Sequence, residues 1–435
     1  MSVAQAARWA KVAVVGAGIA LAMIDGIRAV RHATATDPGA AASDLPQYRG
    51  AARAVVEGTS LYEVRNSKGS PYSGSPALAV AMLPLLLVNE FWGSLLWYVL
   101  TLLMSVHALW LCVQIGRKFW PVAASQQFWW CSLACLLVLP HFWNGLKWQN
   151  VSLLATYLII ASLWLYLHDR SCRAGLCLAG AVVLKLFPAL LVLYFAWKRK
   201  FGVVAFVAVW LVVILVVVPS GVLGWKSNMA YLEQWWTEVC LSASAPDAAA
   251  GRVIFKQAYS VGRSNNQSVQ AVLYRLIVGR SGPGDSSADR LARLVGRGAA
   301  ACLLLISAYP LWRGRATSDQ PRVVLEFCFV SLLMLLVSPV TLFHYFTLLA
   351  LPVTVGIMTL AGGMVSDQSR SYLVGLGVYG AANLAVSVSN SFFTHGVLLI
   401  GVLAVWGSFL WVLTCKPGRQ PEARGGRELL FVRPA

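Results

Sequence analysis

The chain has 435 residues, 58% of them hydrophobic and only 12% charged, with a mean hydropathy of +0.67. Soluble domains carry roughly a quarter charged residues, so this composition excludes a water-soluble globular protein. The formal net charge is +18, from 35 Lys and Arg against 17 Asp and Glu. Such an excess fits basic cytoplasmic loops or a lipid phosphate as ligand. No basic stripe with interleaved aromatics lies outside the apolar runs, so nucleic acid is not expected as a partner.

Many apolar runs approach the ~20 residues needed to cross a hydrocarbon core. They predict an all-α polytopic membrane protein. The 18 Trp suit interfacial belts, because an indole has an apolar body and a polar N–H. The nine cysteines are scattered, mostly in apolar segments (Cys131, Cys135, Cys177, Cys302, Cys328). None forms a Cys-x-x-Cys or a Cys/His set at metal spacing, and they read as small core residues.

Residues 10–29 form the first apolar helix, preceded by Arg8 and Lys11. Ala33-Thr34-Ala35 resembles a signal-peptidase site. Arg28, Arg31 and His32 stand between it and the apolar core, which predicts a retained anchor with a cytoplasmic amino terminus. Asp25 is one turn from Arg28 and is expected to pair with it. A polar first external loop, 30–75, follows. Residues 76–90 are apolar but short and interrupted by Pro84, so they are expected to dip in without crossing.

Further apolar spans are predicted at 91–115, 122–140, 152–168, 176–197 and 201–220. A long, more polar external loop, 221–293, precedes spans at 294–312, 324–340, 346–361, 372–387 and 397–415. A basic cytoplasmic tail, 416–435, ends the chain. Nothing suggests a separate soluble domain, so 1–415 reads as one membrane domain.

The connectors at Arg117-Lys118, Asp169 to Arg173, Lys198-Arg199-Lys200, Arg313 to Arg322 and Arg370 hold many basic residues. Connectors 141–151, 341–345 and 388–396 hold almost none. The first group should therefore be cytoplasmic and the second external, with both termini cytoplasmic in a plasma (inner) membrane. Segment 176–197 then has basic flanks at both ends, and its middle reads Lys185-Leu186-Phe187-Pro188. Two half-helices forming a re-entrant hairpin would keep both flanks inside and put Lys185 at the tip, which requires a protein-lined or wet surrounding. About ten full spans plus two partial ones are expected.

The chemistry-bearing residues gather on the external side. Asp44 leads the stretch DLPQYRGAARAVVEGTSLYE, followed by Tyr48, Arg49, Arg53 and Tyr62, with Glu57 and Glu63 as rival acids. Gln149 in the connector Lys147 to Asn150, the run Asn265-Asn266-Gln267-Ser268, Lys185 and His344 lie on the same side. Ionisable groups at membrane depth are costly and mark function.

Several motifs exclude other chemistries. Gly375 to Gly380 matches GxGxxG only in letters, since it lies in an apolar helix with no preceding strand. There is no Walker sequence, no Asp-x-Asp pair and no His-Glu-x-x-His, and no cofactor or metal is implied. Asn150-Val151-Ser152 and Asn266-Gln267-Ser268 fit the N-glycosylation pattern.

These residues together resemble glycosyltransferase family 87, the polyprenyl-phosphate-sugar-dependent enzymes of the GT-C membrane fold. The resemblance rests on Asp44, Tyr48, Ala51-Ala52-Arg53, Gly58, Tyr62 and Gln149. It continues through Ala179-Gly180, Lys185, Pro188, Asn266-Gln267-Ser268, Arg275, Ser338-Pro339 and His344. Three places depart from the family pattern: Gly74-Ser75-Pro76 replaces Tyr-Pro-Pro, Trp148 replaces the Gly before the loop Gln, and Tyr345 replaces the second His of a pair.

The resemblance implies an enzyme of 10–12 transmembrane helices with re-entrant half-helices and external loops. Its donor would be a polyprenyl-phosphate sugar, mannose first and arabinofuranose second. Its acceptor would be a lipid-linked or glycolipid hydroxyl on the external face. Asp44 would be the general base, with Tyr48, Arg49, Arg53, Tyr62, Gln149, Lys185, Asn266, Gln267 and His344 binding substrate. A lipid-linked-sugar transporter or flippase is the rival reading, but hydropathy reveals no inverted repeat. A receptor or scaffold would leave the Lys and Pro at membrane depth unexplained.

Overall fold

The computed structural model describes residues 43–66, 69–241, 262–281, 286–362 and 367–415, with scattered positions between 12 and 34. Residues 1–11, the loop interior 242–261 and the tail 416–435 lie outside the described residues. The expectations for the amino-terminal flank and the cytoplasmic tail lie outside them too.

Every regular element among the described residues is a helix, and one isolated antiparallel bridge joins Arg65 to Pro71. A helix satisfies its own backbone, which hydrocarbon cannot do. Seven helices are long and apolar enough to cross a membrane, and four shorter ones are also apolar. The protein is an all-α polytopic membrane protein.

Helix α1 (Leu45–Glu57) buries Leu45, Tyr48, Ala51, Ala52 and Ala54 on one face, and Gly58 ends it at φ +69°, a conformation that suits glycine. A 3-10 turn at Leu61–Glu63 leads to α2 (Pro76–Ala81), which Ser75 caps by accepting the Leu78 N–H at 3.3 Å. The 3-10 stretch Leu83–Leu87 contains Pro84, and the whole apolar piece Pro76–Leu87 is too short to span.

Helix α3 (Glu90–Phe119) has 30 residues, or about 45 Å at 1.5 Å each. It starts with Asn89 accepting from Trp92 N–H and an acidic Glu90, and it ends with Arg117 and Lys118. That charge order matches the helix dipole. Helix α4 (Ala124–Trp148) contains Pro140; one turn earlier, the Leu137 carbonyl accepts from Tyr379 Oη and Asn383 Nδ2.

Helix α5 (Ser152–Tyr166) is followed by α6 (Ser171–Leu184) and α7 (Ala189–Trp197), separated by the break Lys185–Pro188. Both outer ends of the α6–α7 pair lie at one end of the molecule. Gly175 of α6 packs against Phe206 and Val207 of α8 (Phe201–Leu223). The Leu167 carbonyl, just before α6, accepts from Gln320, while Lys198, just after α7, donates to Gly314 and Thr317. Lys185 lies instead with Tyr345. The chain goes in and comes back, which is the re-entrant hairpin expected from its basic flanks.

Beyond α8, α9 (Trp225–Trp235) continues as a π-helical turn to Leu241. The helices α10 (Val269–Ser281), α11 (Ser286–Arg313) and α12 (Gln320–Val337) follow. A 3-10 stretch Phe343–Leu349 runs into α13 (Ala350–Ala361), and α14 (Asp367–Val388), the short α15 (Asn390–Thr394) and α16 (Val397–Thr414) complete the order. The apolar window of Phe343–Ala361 is 89% buried against 11% for Phe201–Leu223. The first is therefore the central helix and the second faces lipid. A second, smaller core packs α1, Tyr62, Tyr72, Leu78, Trp97, Val151 and Trp235 over one end of the bundle.

About ten full spans were expected; seven meet both criteria among the described residues. Of the three that do not, 10–29 is only partly among the described residues; helix α5 has 15 residues, and a segment enclosed by protein need not match the bilayer thickness. Helix α4 is long and apolar on average, but Gln126, Gln127, His141 and Asn144 lower its hydropathy.

Candidate active site

Two cavities of about 440 Å³ each meet beneath the smaller core. They share one wall, made by Asp44, Gln47, Ser73, Asn150, Lys185 and Tyr345. One lobe is apolar, lined by Leu186, Leu190, Val239, Leu304, Met334 and Val337. The other is polar, lined by Asn66, Asn144, Trp148, Arg263, Asn265 and His344. An apolar slot and a bed of amides thus meet across one acid and one cation.

Asp44 precedes the first turn of α1 yet makes no side-chain cap there. Its backbone N–H donates to the Trp148 carbonyl at 2.9 Å, and its Oδ2 accepts from Asn150 Nδ2. Helical spacing puts Asp44, Gln47 and Tyr48 on one face, and all three line the apolar lobe. Lys185 is the first residue after α6, with extended backbone (φ −149°, ψ 135°), so its side chain leaves the helix axis. Its Nζ donates to Tyr345 Oη at 2.9 Å and sits 4.6 Å from the centre of that ring. His344 is 7% exposed, lines the polar lobe, and its Nε2 has no partner.

The other predicted residues are placed beside the cavities. Arg49 is buried and donates to the carbonyls of Leu85 and Val88, the latter at 3.0 Å. Arg53 is exposed and lines a small separate cleft with Arg49 and Glu90. Both lie on a different face of α1 from Asp44 and Tyr48. Tyr62 is buried under the apolar lobe's Tyr72, with ring centres 6.1 Å apart, and its hydroxyl points at the carbonyls of Gly74 and Tyr231. Burial raises the pKa of both phenols, so they remain protonated donors.

Gln149 is fully buried at φ 50°. Its Nε2 donates to Ser94, its Oε1 accepts from Ser43, and its carbonyl accepts from the Trp97 indole. Asn266 spends its amide on the Pro339 carbonyl and the N–H groups of Ser268 and Thr341, and Gln267 donates to Ser264 and Phe393. These amides shape the loops around the cavity. Glu57 and Glu63 are exposed and line neither lobe.

A family model described as Glycosyltransferase family 87 matches residues 72–339, more than half of the chain. The chain belongs to glycosyltransferase family 87. No curated protein and no solved structure matches it. This family 87 protein is an integral membrane glycosyltransferase. Lys185, Asn150 and most of the apolar lobe fall inside the match, whereas Asp44, Tyr48 and His344 lie outside it. Folding alone brings those three to the same cavities.

Sequence reasoning chose Gln149 and passed over its neighbour Asn150, which is the residue that touches Asp44. It also passed over Gln47 and Tyr72. Gln47 had a readable signal, since it lies three residues after Asp44 on the same helix face. The two Asn-x-Ser sequences place Asn150 at 5% and Asn266 at 1% exposure, so neither presents an amide to a glycosylating enzyme in the folded chain.

Proposed function

We propose that this family 87 enzyme transfers a sugar, mannose first, from a polyprenyl-phosphate donor to a hydroxyl of a lipid-linked or glycolipid acceptor. The observation that carries this reading is the shared wall: Asp44 and Lys185 stand where an apolar lobe meets a polar one. A polyprenyl chain suits the apolar lobe. An acceptor sugar suits the amides and the Trp148 indole of the other.

The acceptor oxygen attacks the anomeric carbon from the face opposite the lipid phosphate, so the configuration inverts. The new carbon–oxygen bond forms as the bond to the phosphate oxygen breaks, and the electron pair leaves with the phosphate. Asp44 takes the hydroxyl proton, a contribution of roughly 10²–10⁴-fold. The growing phosphate charge is stabilised by Lys185, because fixed cations in a water-poor site act without reorganising. His344, whose Nε2 has no hydrogen-bond partner in the polar lobe, holds the acceptor in this reading.

The cavities lie at the end of the bundle opposite the cluster of Leu167, Lys198 and Gly314 to Gln320. That cluster sits among the basic connectors, so the positive-inside rule makes it cytoplasmic and supports an external active site in the plasma (inner) membrane, with both termini inside.

The test incubates the purified protein with polyprenyl-phosphate mannose and a glycolipid acceptor extract. Transfer of mannose to the glycolipid fraction supports the reading. Donor hydrolysis or binding without any glycolipid product, across acceptor extracts, contradicts it.

A further inference from the structure

The amide that meets Asp44 is not the one the family resemblance singles out. Asp44 occupies the position that caps α1, where Asp ordinarily accepts from the helix's own N–H groups, yet its side chain makes no such bond. It turns instead to Asn150 in the connector between α4 and α5, whose Nδ2 donates to Asp44 Oδ2 and lies 3.5 Å from the Tyr48 hydroxyl.

The orientation of that amide is fixed from its other end. Asn150 Oδ1 accepts from the Ser152 N–H at 2.8 Å and from the Ser152 hydroxyl. Only its nitrogen can therefore face Asp44. The connector is itself immobilised: Gln149 adopts φ 50° and is tied through Ser94, Ser43 and Trp97. The backbone N–H of Asp44 donates to Trp148 on the same connector. Backbone and side chain of the acid are thus held by two residues of one connector, Trp148 and Asn150, more than a hundred positions away.

We propose that Asn150 is the positioning residue of Asp44: its amide clamps the carboxylate, keeps it charged, and fixes which way it faces on the wall between the lobes. This rests on the reading of Asp44 as the base. A donated hydrogen bond stabilises the charged form of a carboxylate, and the amino-terminal end of α1 acts in the same sense. Among the described residues, the other titratable groups lining the two lobes are Tyr48 from α1, Tyr72 before α2, Lys185 from the α6–α7 break, Cys240 from the turn after α9, His344 and Tyr345 from the 3-10 stretch, and Arg263. Apart from Asp44 itself, this set contains no carboxylate.

Asn150→Asp separates the clamp from the fold. The new carboxylate still accepts from Ser152 and keeps the start of α5, but it presents an acceptor and a like charge to Asp44. Asn150→Ala removes the donor without adding charge. The purified full chain is treated with a hydrophobic carbodiimide, which labels protonated carboxyls, from about pH 2 to about pH 9, a range that covers lowered as well as raised carboxyls. The Asp44-containing peptide is then quantified by mass spectrometry.

The half-labelling pH of Asp44 is expected to rise by about one unit or more in Asn150→Asp, and by less in Asn150→Ala. The acid limb of the transfer rate should move with it. Half-labelling at the wild-type pH in both variants overturns the clamp. Turnover of Asp44→Asn tests the base reading separately: full turnover there with a shifted Asn150→Asp profile would remove the base and leave the clamp.

Discussion

The ammonium of Lys185 donates to the Tyr345 hydroxyl at 2.9 Å while sitting 4.6 Å from the centre of the same ring. Tyr345 holds the cation of the re-entrant tip. Removing that cation with Lys185→Met should lower kcat by about 10²–10³, the range for losing one preorganised electrostatic group. Tyr345→Phe keeps the ring and loses only the acceptor, so a fall of about three- to tenfold is expected. Steady-state transfer assays on both variants check the order of the two effects.

Arg49 binds carbonyl groups rather than the cavity. Its guanidinium is buried against Gly93 and donates to Leu85 and Val88. Burial lowers its pKa, while nearby Glu90 opposes that shift. Arg49→Ala should destabilise the protein by about 2–4 kcal/mol, two charge-assisted bonds with their acceptors left behind. The donor KM should change less than it does in Lys185→Met. Thermal unfolding in detergent, set beside the kinetics, separates the two.

Much of this was legible in the chain before any coordinates. Hydropathy located the spans, and Lys185-Leu186-Phe187-Pro188 with basic residues on both sides located the hairpin. The acid at Asp44 stood out because membrane-adjacent carboxylates are few. Helix phase was the weaker guide: Arg49 and Arg53 share one face of α1 by spacing, and only the fold reveals that Asp44, Gln47 and Tyr48 hold the inward one. Gln149 and Asn150 are adjacent amides. A positive φ at Gln149 turns its side chain away, and nothing in the letters announces a left-handed Gln. The amides of Asn266 and Gln267 go to backbone groups of loops far off in sequence, which local spacing cannot reveal.

At the far end of the hairpin, Lys198 Nζ lies 3.0 Å from Glu326 Oε2, with both side chains essentially buried. Arg322 and Tyr194 also bond Glu326, at 3.0 and 3.1 Å. This cluster ties the returning limb to α12, whose other end, at Val337, lines the apolar lobe. Lys198→Met leaves a buried carboxylate short of one cation and should cost about 3–5 kcal/mol. Urea or thermal unfolding of the purified variant measures it.

Leu304 on α11 is 40% exposed and also lines the apolar lobe, so it borders both lipid and cavity. Leu304→Trp should narrow that rim. The donor KM should rise by about 10-fold, roughly 1.4 kcal/mol, and should rise more for a long polyprenyl chain than for a short-chain analogue. Paired kinetics with the two donors check the difference.

The central claim is that Asp44 removes the acceptor proton at the junction of the lobes. The most direct measurement is single-turnover transfer from bound polyprenyl-phosphate mannose, wild type beside Asp44→Asn, with donor binding measured separately on each. The account predicts equal donor binding and a transfer rate lower by about 10²–10⁴-fold in the variant. Transfer at the wild-type rate by Asp44→Asn with donor bound would contradict it.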